Sequence, residues 1–283
     1  MAGEGTGRGD DARGETKDEA PRVPRPVALV TGASAGLGRE FALLFAERGH
    51  DLVVVARRRE RLVELKKECA ERFGARTMVI DEDLSHAAAP RRIAEIVQSS
   101  GLEIEVLVNN AGYALNGRFL SNDWAAHADF LQVMATSWLH LTHLFAPAMV
   151  RRGRGRILHV SSLASLCPEP PGSLYAPVKC LMTAASRAMR FDLLGTGVHV
   201  TALCPGFTYT EFHDILGNRD EMNRLPKFMW QDARTVCLAG IAGVERNRAI
   251  VVPGAFNRMA ATMCRLLPYA WTSRMIPKGV MER

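Results

Sequence analysis

Seven short apolar runs recur along this chain, and a stretch of helical periodicity separates most of them. They are "PVALVTG" (26–32), "DLVVVAR" (51–57), "RTMVIDEDL" (76–84), "EVLVNNAG" (105–112), "GRILHVSS" (155–162), "GVHVTALCPG" (197–206) and "RAIVVPG" (248–254). Between them, 39–49, 58–74, 88–99, 123–151 and the stretch from Tyr175 to about Gly195 read as helices. Runs apolar throughout suit strands buried on both faces, and alternation with helices implies parallel pairing. The pattern predicts an α/β fold: one parallel sheet of about seven strands with helices on both faces. A length of 283 residues suits one such domain of about 250 residues plus extensions. No internal repeat or second domain is visible.

The turn after the first run is "TGASAGLG", from Thr31 to Gly38, with glycines at 32, 36 and 38. A helix follows at once. Glycine allows a tight turn and close backbone approach, and a helix N-terminus offers free N–H groups to a pyrophosphate. The second run ends in "VVVARRR". A dinucleotide fold that selects NAD places an acid there to hold the ribose 2′-hydroxyl. Here Ala56 takes that place, followed by Arg57 and Arg58. Guanidinium groups suit a 2′-phosphate, so the expected cofactor is NADP.

"LYAPVKCL" (174–181) places Tyr175 and Lys179 one helical turn apart, on one face. A lysine cation beside a phenol favours the phenolate and lowers the tyrosine pKa from about 10. Alone, the pair also fits an ordinary amphipathic helix start.

Composition removes other classes. The net charge is +6, with 36 Lys+Arg against 30 Asp+Glu, and no basic stripe with interleaved aromatics suggests nucleic acid. The six cysteines show no zinc-like spacing with histidine, so no metal is expected, and they read as free thiols in a reducing, cytoplasmic setting. No apolar run reaches the ~18 residues of a membrane span. Residues 1–25 are rich in Gly, Pro and charge, lack the apolar core of a signal peptide, and are expected to be a disordered tail.

Taken together, "TGxxxGxG" (31–38), "NNAG" (109–112), "VSS" (160–162), "YxxxK" (175–179) and "CPG" (204–206) resemble the short-chain dehydrogenase/reductase family, over roughly residues 24–255. "ARRxxRL" and "PKFMW" resemble its general bacterial oxidoreductases. The resemblance implies a Rossmann-like doubly wound catalytic domain over 26–255, followed by a C-terminal extension, 256–283. It implies hydride transfer between NADPH and a carbonyl or secondary alcohol. Tyr175 would be the general acid or base, Lys179 would lower its pKa and bind the nicotinamide ribose, and Ser162 would hold the substrate oxygen, with Ser161 as the alternative. Thr31, Gly32, Ser34, Gly36, Leu37 and Gly38 would cradle the cofactor phosphates. Asp83 would contact the adenine, and Asn110, Ala111 and Gly112 would support the cofactor at the central strands. Pro205, Gly206 and Thr210 would position the nicotinamide carboxamide and phosphates.

The pattern departs from the family at one place. Seven residues before Leu141, where the family carries an asparagine thought to hold a relay water, stands Met134. A thioether accepts weakly and donates nothing. The proton relay is thereby placed in doubt, and a non-catalytic dinucleotide-binding regulator is the competing reading. A plain core-filling methionine is the bland one.

The stretch 207–232 mixes aromatics with charges where this fold carries its substrate lid. Phe207, Phe212 and Trp230, with Phe228 and Met229, would line an apolar pocket for a hydrophobic substrate, or else form a small satellite core. The tail 256–279 alternates apolar patches with Arg and Lys, which suits a membrane surface, the pocket or a neighbouring subunit. Pro268 interrupts its helix and weighs against the membrane. Apolar residues on several faces of 123–151 and 175–194 predict a homodimer or homotetramer.

Overall fold

The computed structural model describes residues 25–167, 174–211 and 226–266. The tail expected to be disordered therefore lies outside the described residues, except Arg25. Strands β1 (Val27–Thr31), β2 (Asp51–Ala56), β3 (Thr77–Asp81), β4 (Ile104–Asn109), β5 (Gly155–Val160), β6 (Val198–Leu203) and β7 (Ile250–Val251) match the seven apolar runs. They form one parallel sheet in the order β3-β2-β1-β4-β5-β6-β7.

The apolar runs are continuous because both faces of the sheet are covered. Alternate side chains point to opposite layers. Val30 and Val54 join one core layer with Phe41 and Leu44 of helix α1 (Gly36–Glu47), Leu62 of α2 (Arg59–Phe73) and Ile241 of α7 (Ala233–Glu245). Leu29 and Val53 join the other, with Ile93 of α3 (Ala89–Ser99), Phe130 of α4 (Trp124–Leu131), Leu141 and Phe145 of α5 (Trp138–Arg151) and Val178 of α6 (Tyr175–Asp192). Helix α8 (Ala255–Leu266) follows the last strand.

Two elements differ from the sequence expectation. The stretch 123–151 is not one regular helix: a π-helical turn, Gln132–Ser137, separates α4 from α5. There the indole nitrogen of Trp138 donates to the Met134 carbonyl at 2.8 Å. The last strand is only two residues long. It pairs with β6 alone, through Ile250 and Val251, and Pro253 has no N–H to continue the ladder. No helix among the described residues is long and apolar enough to cross a membrane.

Candidate active site

Strand order reverses between β1 and β4, so their C-terminal ends open a crevice. A cleft of about 870 Å³ occupies it. After β1, Gly32 and Gly36 take φ of +68° and +54°, a left-handed region that favours glycine. A Cβ on Gly38 would collide with the Gly32 carbonyl, so the third glycine lets α1 close onto the turn. No side chain caps the N-terminus of α1, and no acid lies in its first turn. Ser34, Gly36 and Leu37 line the cleft beside it.

Thr31 is buried and does not line the cleft; it braces it from below. Its Oγ1 accepts from the backbone N–H groups of Asn110 and Ala111, both at 3.0 Å. Asn110 returns a bond from Nδ2 to the Thr31 carbonyl at 2.9 Å. The glycine turn and the "NNAG" segment are thus one hydrogen-bonded unit, and Asn110, Ala111 and Gly112 all face the cleft.

At the end of β2, Arg57 and Arg58 both reach the cleft. The Nε and Nη2 of Arg58 donate to Ser34 Oγ at 3.2 and 3.0 Å, which ties this arginine to the phosphate loop. Arg57 lies 3.6 Å from Asp83, with its side chain 71% exposed. Burial pushes the Asp83 carboxyl up, but hydrogen bonds from Ser85 and the Arg57 guanidinium outweigh it and leave its pKa lowered. With Ala56 in place of an acid, two arginines at the rim and an open helix N-terminus, these residues fit a dinucleotide bearing a 2′-phosphate.

Across the cleft, the Ser162 side chain hydrogen-bonds the Tyr175 hydroxyl. Its Oγ also accepts from Ala164 N at 3.1 Å. Ser161, by contrast, turns inward: its Oγ donates to the Lys179 carbonyl at 2.9 Å and lies 2.8 Å from Thr183 Oγ1. Lys179 is 4% exposed. Its Nζ donates to the Val160 carbonyl at 2.7 Å and stands 5.7 Å from the centre of the Tyr175 ring. Burial lowers the Lys179 pKa to about 8. It also raises the Tyr175 pKa, opposed by the Ser162 hydrogen bond. The sequence argument predicts the reverse for the tyrosine. Desolvation of the phenol prevails here, and the ammonium is aimed at a backbone carbonyl.

Met134 sits in the π-helical turn and lines the cleft. Its Sδ accepts from Tyr113 N at 3.3 Å. A Cβ on Gly112 would come within 2.9 Å of that sulfur. The methionine therefore fills space against the "NNAG" turn and satisfies one backbone N–H.

After β6, Pro205, Gly206, Phe207 and Thr210 line the cleft, and Thr210 lies over Gly36, within 3.3 Å of an added Cβ. Trp230 is not among the lining residues. It is 8% exposed and packs under the loop, stacked on Tyr209 at 4.8 Å and tilted on Phe207 at 5.6 Å. For Trp230 the satellite-core alternative holds. Phe212 lies outside the described residues. Among the described residues, no group of His, Cys, Asp or Glu could hold a metal ion.

Sequence reasoning missed several cleft residues. Glu211 follows Thr210 directly and pairs with Arg61 and Arg58. Tyr113 follows "NNAG" directly and packs edge-on against Phe130 at 5.4 Å. Cys167 lines the wall below Ser162; burial, then a hydrogen bond with Cys264 of α8, pushes its thiol up to about 12. Adjacency to a motif was the available signal for Glu211 and Tyr113. Nothing in the sequence pairs Cys167 with Cys264.

Comparison with known proteins agrees with this geometry. Residues 26–220 match the short chain dehydrogenase family. The NADP-dependent 3-hydroxy acid dehydrogenase YdfG of Salmonella typhi is 34% identical over 200 residues, 69% of this chain and 78% of that protein. Sulfoacetaldehyde reductase 2 of Chromohalobacter salexigens is 32% identical over 188 residues, 66% of this chain and 74% of the relative. A short-chain dehydrogenase from Sphingobium yanoikuyae, solved with NADPH, superposes with a TM-score of 0.76 at 29% identity, covering 84% of this chain and 92% of the other. The glycine turn, the sheet order and the match over most of its length make this chain a member of the short-chain dehydrogenase family.

Proposed function

We propose that this protein is an NADP-dependent oxidoreductase that interconverts a carbonyl and a secondary alcohol, with Ser162, Tyr175 and Lys179 as its working groups. The catalytic unit is residues 26–255. The observation that carries the reading is the hydrogen bond between the Ser162 and Tyr175 hydroxyls in the cleft wall, one helical turn from a buried lysine. Two hydroxyls converging on one point suit an oxygen on which negative charge develops. Support for NADP comes from Arg57, Arg58 and the missing acid at Ala56, from a relative named as NADP-dependent, and from a structural neighbour solved with NADPH.

The bound dinucleotide supplies or accepts the hydride. In the reductive direction Tyr175 gives its hydroxyl proton to the substrate oxygen while Ser162 hydrogen-bonds that same oxygen. Lys179, its pKa drawn to about 8, is poised to exchange a proton near neutral pH and restore the phenol. Arg58, seated on Ser34, and Arg57 hold the 2′-phosphate. The "NNAG" turn, braced by Thr31, backs the cofactor. A hydrophobic substrate fits the apolar side chains that line the cleft, including Phe207 and Val133.

Met134 favours one second reading, a dinucleotide-binding regulator without turnover, since the carboxamide typical of the family is missing. NADPH oxidation with a panel of ketones and aldehydes decides between them. Turnover that disappears in Tyr175→Phe supports the enzyme. Tight NADPH binding with no turnover on any substrate in either direction supports the regulator.

A further inference from the structure

Tyr175, Lys179 and Thr183 follow one another at four-residue intervals on α6, which puts them on one face of the helix. The end of β5 and the residues just after it answer that face. Ser162 hydrogen-bonds the Tyr175 hydroxyl, and the Val160 carbonyl accepts from Lys179 Nζ at 2.7 Å. Thr183, one turn beyond the lysine, has no part in the chemistry assigned above. It is buried, and its Oγ1 lies between two serine hydroxyls.

Thr183 Oγ1 donates to Ser165 Oγ at 2.8 Å and lies 2.8 Å from Ser161 Oγ. Ser165 Oγ donates to the Ser162 carbonyl at 2.7 Å, and Ser161 Oγ donates to the Lys179 carbonyl at 2.9 Å. A chain of hydroxyls therefore runs from the backbone of Ser162 to the backbone of Lys179, with Thr183 as its middle member. Cys204 Sγ, at the end of β6, flanks it 3.6 Å from Ser165 Oγ and 3.7 Å from Thr183 Oγ1. Each hydroxyl carries one proton, so three protons serve four contacts. Removing the threonine hydroxyl leaves both carbonyls with their serine donors, and no buried carbonyl is orphaned. What is lost is the link between the turn after Ser162 and the helix that carries the tyrosine and lysine.

We propose that Thr183 is a positioning residue for the reaction: through Ser165 and Ser161 it fixes the Ser162 turn against α6 and so sets how the Ser162 and Tyr175 hydroxyls converge on the substrate oxygen. The inference rests on the enzyme reading above. Convergence is demanding, because a small misplacement of one donor is enough to slow the reacting step. It also bears on the tyrosine itself. Burial raises the Tyr175 pKa and the Ser162 hydrogen bond opposes that rise, so a loosened Ser162 sends the pKa further up.

The test compares full-length wild type, Thr183→Val and Thr183→Ser in both reaction directions, on a substrate found with the ketone and aldehyde panel. Thr183→Val should lower kcat about ten- to a hundredfold, with the NADPH dissociation constant unchanged within about twofold. Its melting temperature should fall by no more than about 4 °C. In the alcohol-oxidising direction, where the phenolate is the base, the acid limb of the kcat profile should move to higher pH. Thr183→Ser returns the hydroxyl and should restore kcat to within about threefold of wild type. Should Thr183→Val fail to fold, Ser165→Ala cuts the same chain at the next oxygen and should give the same loss and the same pH shift. Wild-type kcat and pH profile in Thr183→Val overturn the inference. So does a loss that Thr183→Ser leaves unrepaired, a loss that falls equally on NADPH binding, or failure of both cut variants to fold, which would make the chain a folding element. A wild type that turns over nothing removes the enzyme reading and this inference with it. Wild-type turnover beside an unimpaired Thr183→Val removes this inference alone.

Discussion

Glu211 holds Arg61 through both carboxylate oxygens, at 2.8 and 2.7 Å, and reaches Arg58 at 3.4 Å. The segment after β6 is thereby tied to the corner where a 2′-phosphate would sit. A carboxylate and a phosphate compete for the same guanidinium group. Glu211→Gln should therefore tighten NADPH binding by up to about fivefold and leave NADH binding unchanged, since an exposed pair is worth about 1 kcal/mol or less. Arg58→Ala should weaken NADPH binding and spare NADH. Fluorescence titration of both cofactors reads both effects. If Arg58→Ala discriminates while Glu211→Gln is silent, the 2′-phosphate assignment stands and the competition does not exist.

Tyr175→Phe removes one hydroxyl from a site that holds its cofactor elsewhere. Turnover on a confirmed substrate should fall on the order of 10²–10⁴-fold, with the NADPH dissociation constant nearly unchanged. Lys179→Met should damage both, since its ammonium is assigned to tyrosine and ribose. A Tyr175→Phe enzyme that keeps most of its activity would sink the catalytic assignment.

Stability should depend on a histidine that the proposed chemistry does not use. His159 is fully buried between Thr142 Oγ1 at 3.1 Å and Ser186 Oγ at 2.7 Å, and burial lowers its pKa to about 3. Between its folded pKa and the unfolded value of about 6.5, the unfolded chain binds more protons than the native one. Stability is then complete above the unfolded pKa and is lost as pH falls below it. At pH 5 the loss should be roughly 2 kcal/mol relative to pH 7.5. Urea unfolding at the two pH values, in wild type and His159→Gln, checks it: the variant should lose this share of the slope.

Met134→Asn probes the proton path and the packing together. The thioether is 1% exposed and accepts the Tyr113 N–H. A shorter carboxamide leaves part of that volume empty and brings buried polar atoms, so stability should drop by roughly 1–3 kcal/mol. A rise in the solvent-sensitive step of turnover alongside that loss would show that a relay water had been recruited. Unchanged turnover would identify Met134 as core filling alone.

Helix α6 exposes Leu181 and Phe191, and Leu194 follows just past its end, at 43%, 64% and 55% exposure. In a homo-oligomer that pairs through this helix, these residues would lie in the contact. Analytical ultracentrifugation should find a dimer or tetramer, and Leu181→Glu with Phe191→Glu should shift it to monomer. A wild-type monomer at all concentrations would refute the assignment.

What the sequence made legible and what it hid follow one physical line. Buried strands announce themselves locally through unbroken apolar runs, so all seven were placed, and the glycine turn was readable because its conformation restricts the residue type. Properties set by distant partners were not readable. The π-helical turn depends on the Trp138 indole and the Met134 carbonyl, and a smooth helical pattern covers it. Glu211 meets Arg61 across 150 positions of chain. For Trp230 the sequence leaves pocket wall and satellite core open, and only its neighbours beneath the loop decide for the core. The Tyr175–Lys179 spacing suggests an acidified phenol, whereas desolvation, a property of the assembled core, sets the direction.

The reversal of strand order between β1 and β4 divides the protein into two separately tunable halves. The glycine turn and the groups assigned to the 2′-phosphate and adenine hang from β1, β2 and β3; the groups assigned to chemistry follow β5, flanked by the cofactor-supporting segments after β4 and β6. A cofactor swap could then be engineered at Ala56–Arg58 without touching the reacting end, and a new substrate at the lid without touching the phosphate loop. The halves are stitched together by Thr31 with Asn110, by Thr210 over Gly36, and by Glu211 on Arg58 and Arg61. In a chimera built from two relatives, those three seams are the positions that must be inherited as pairs.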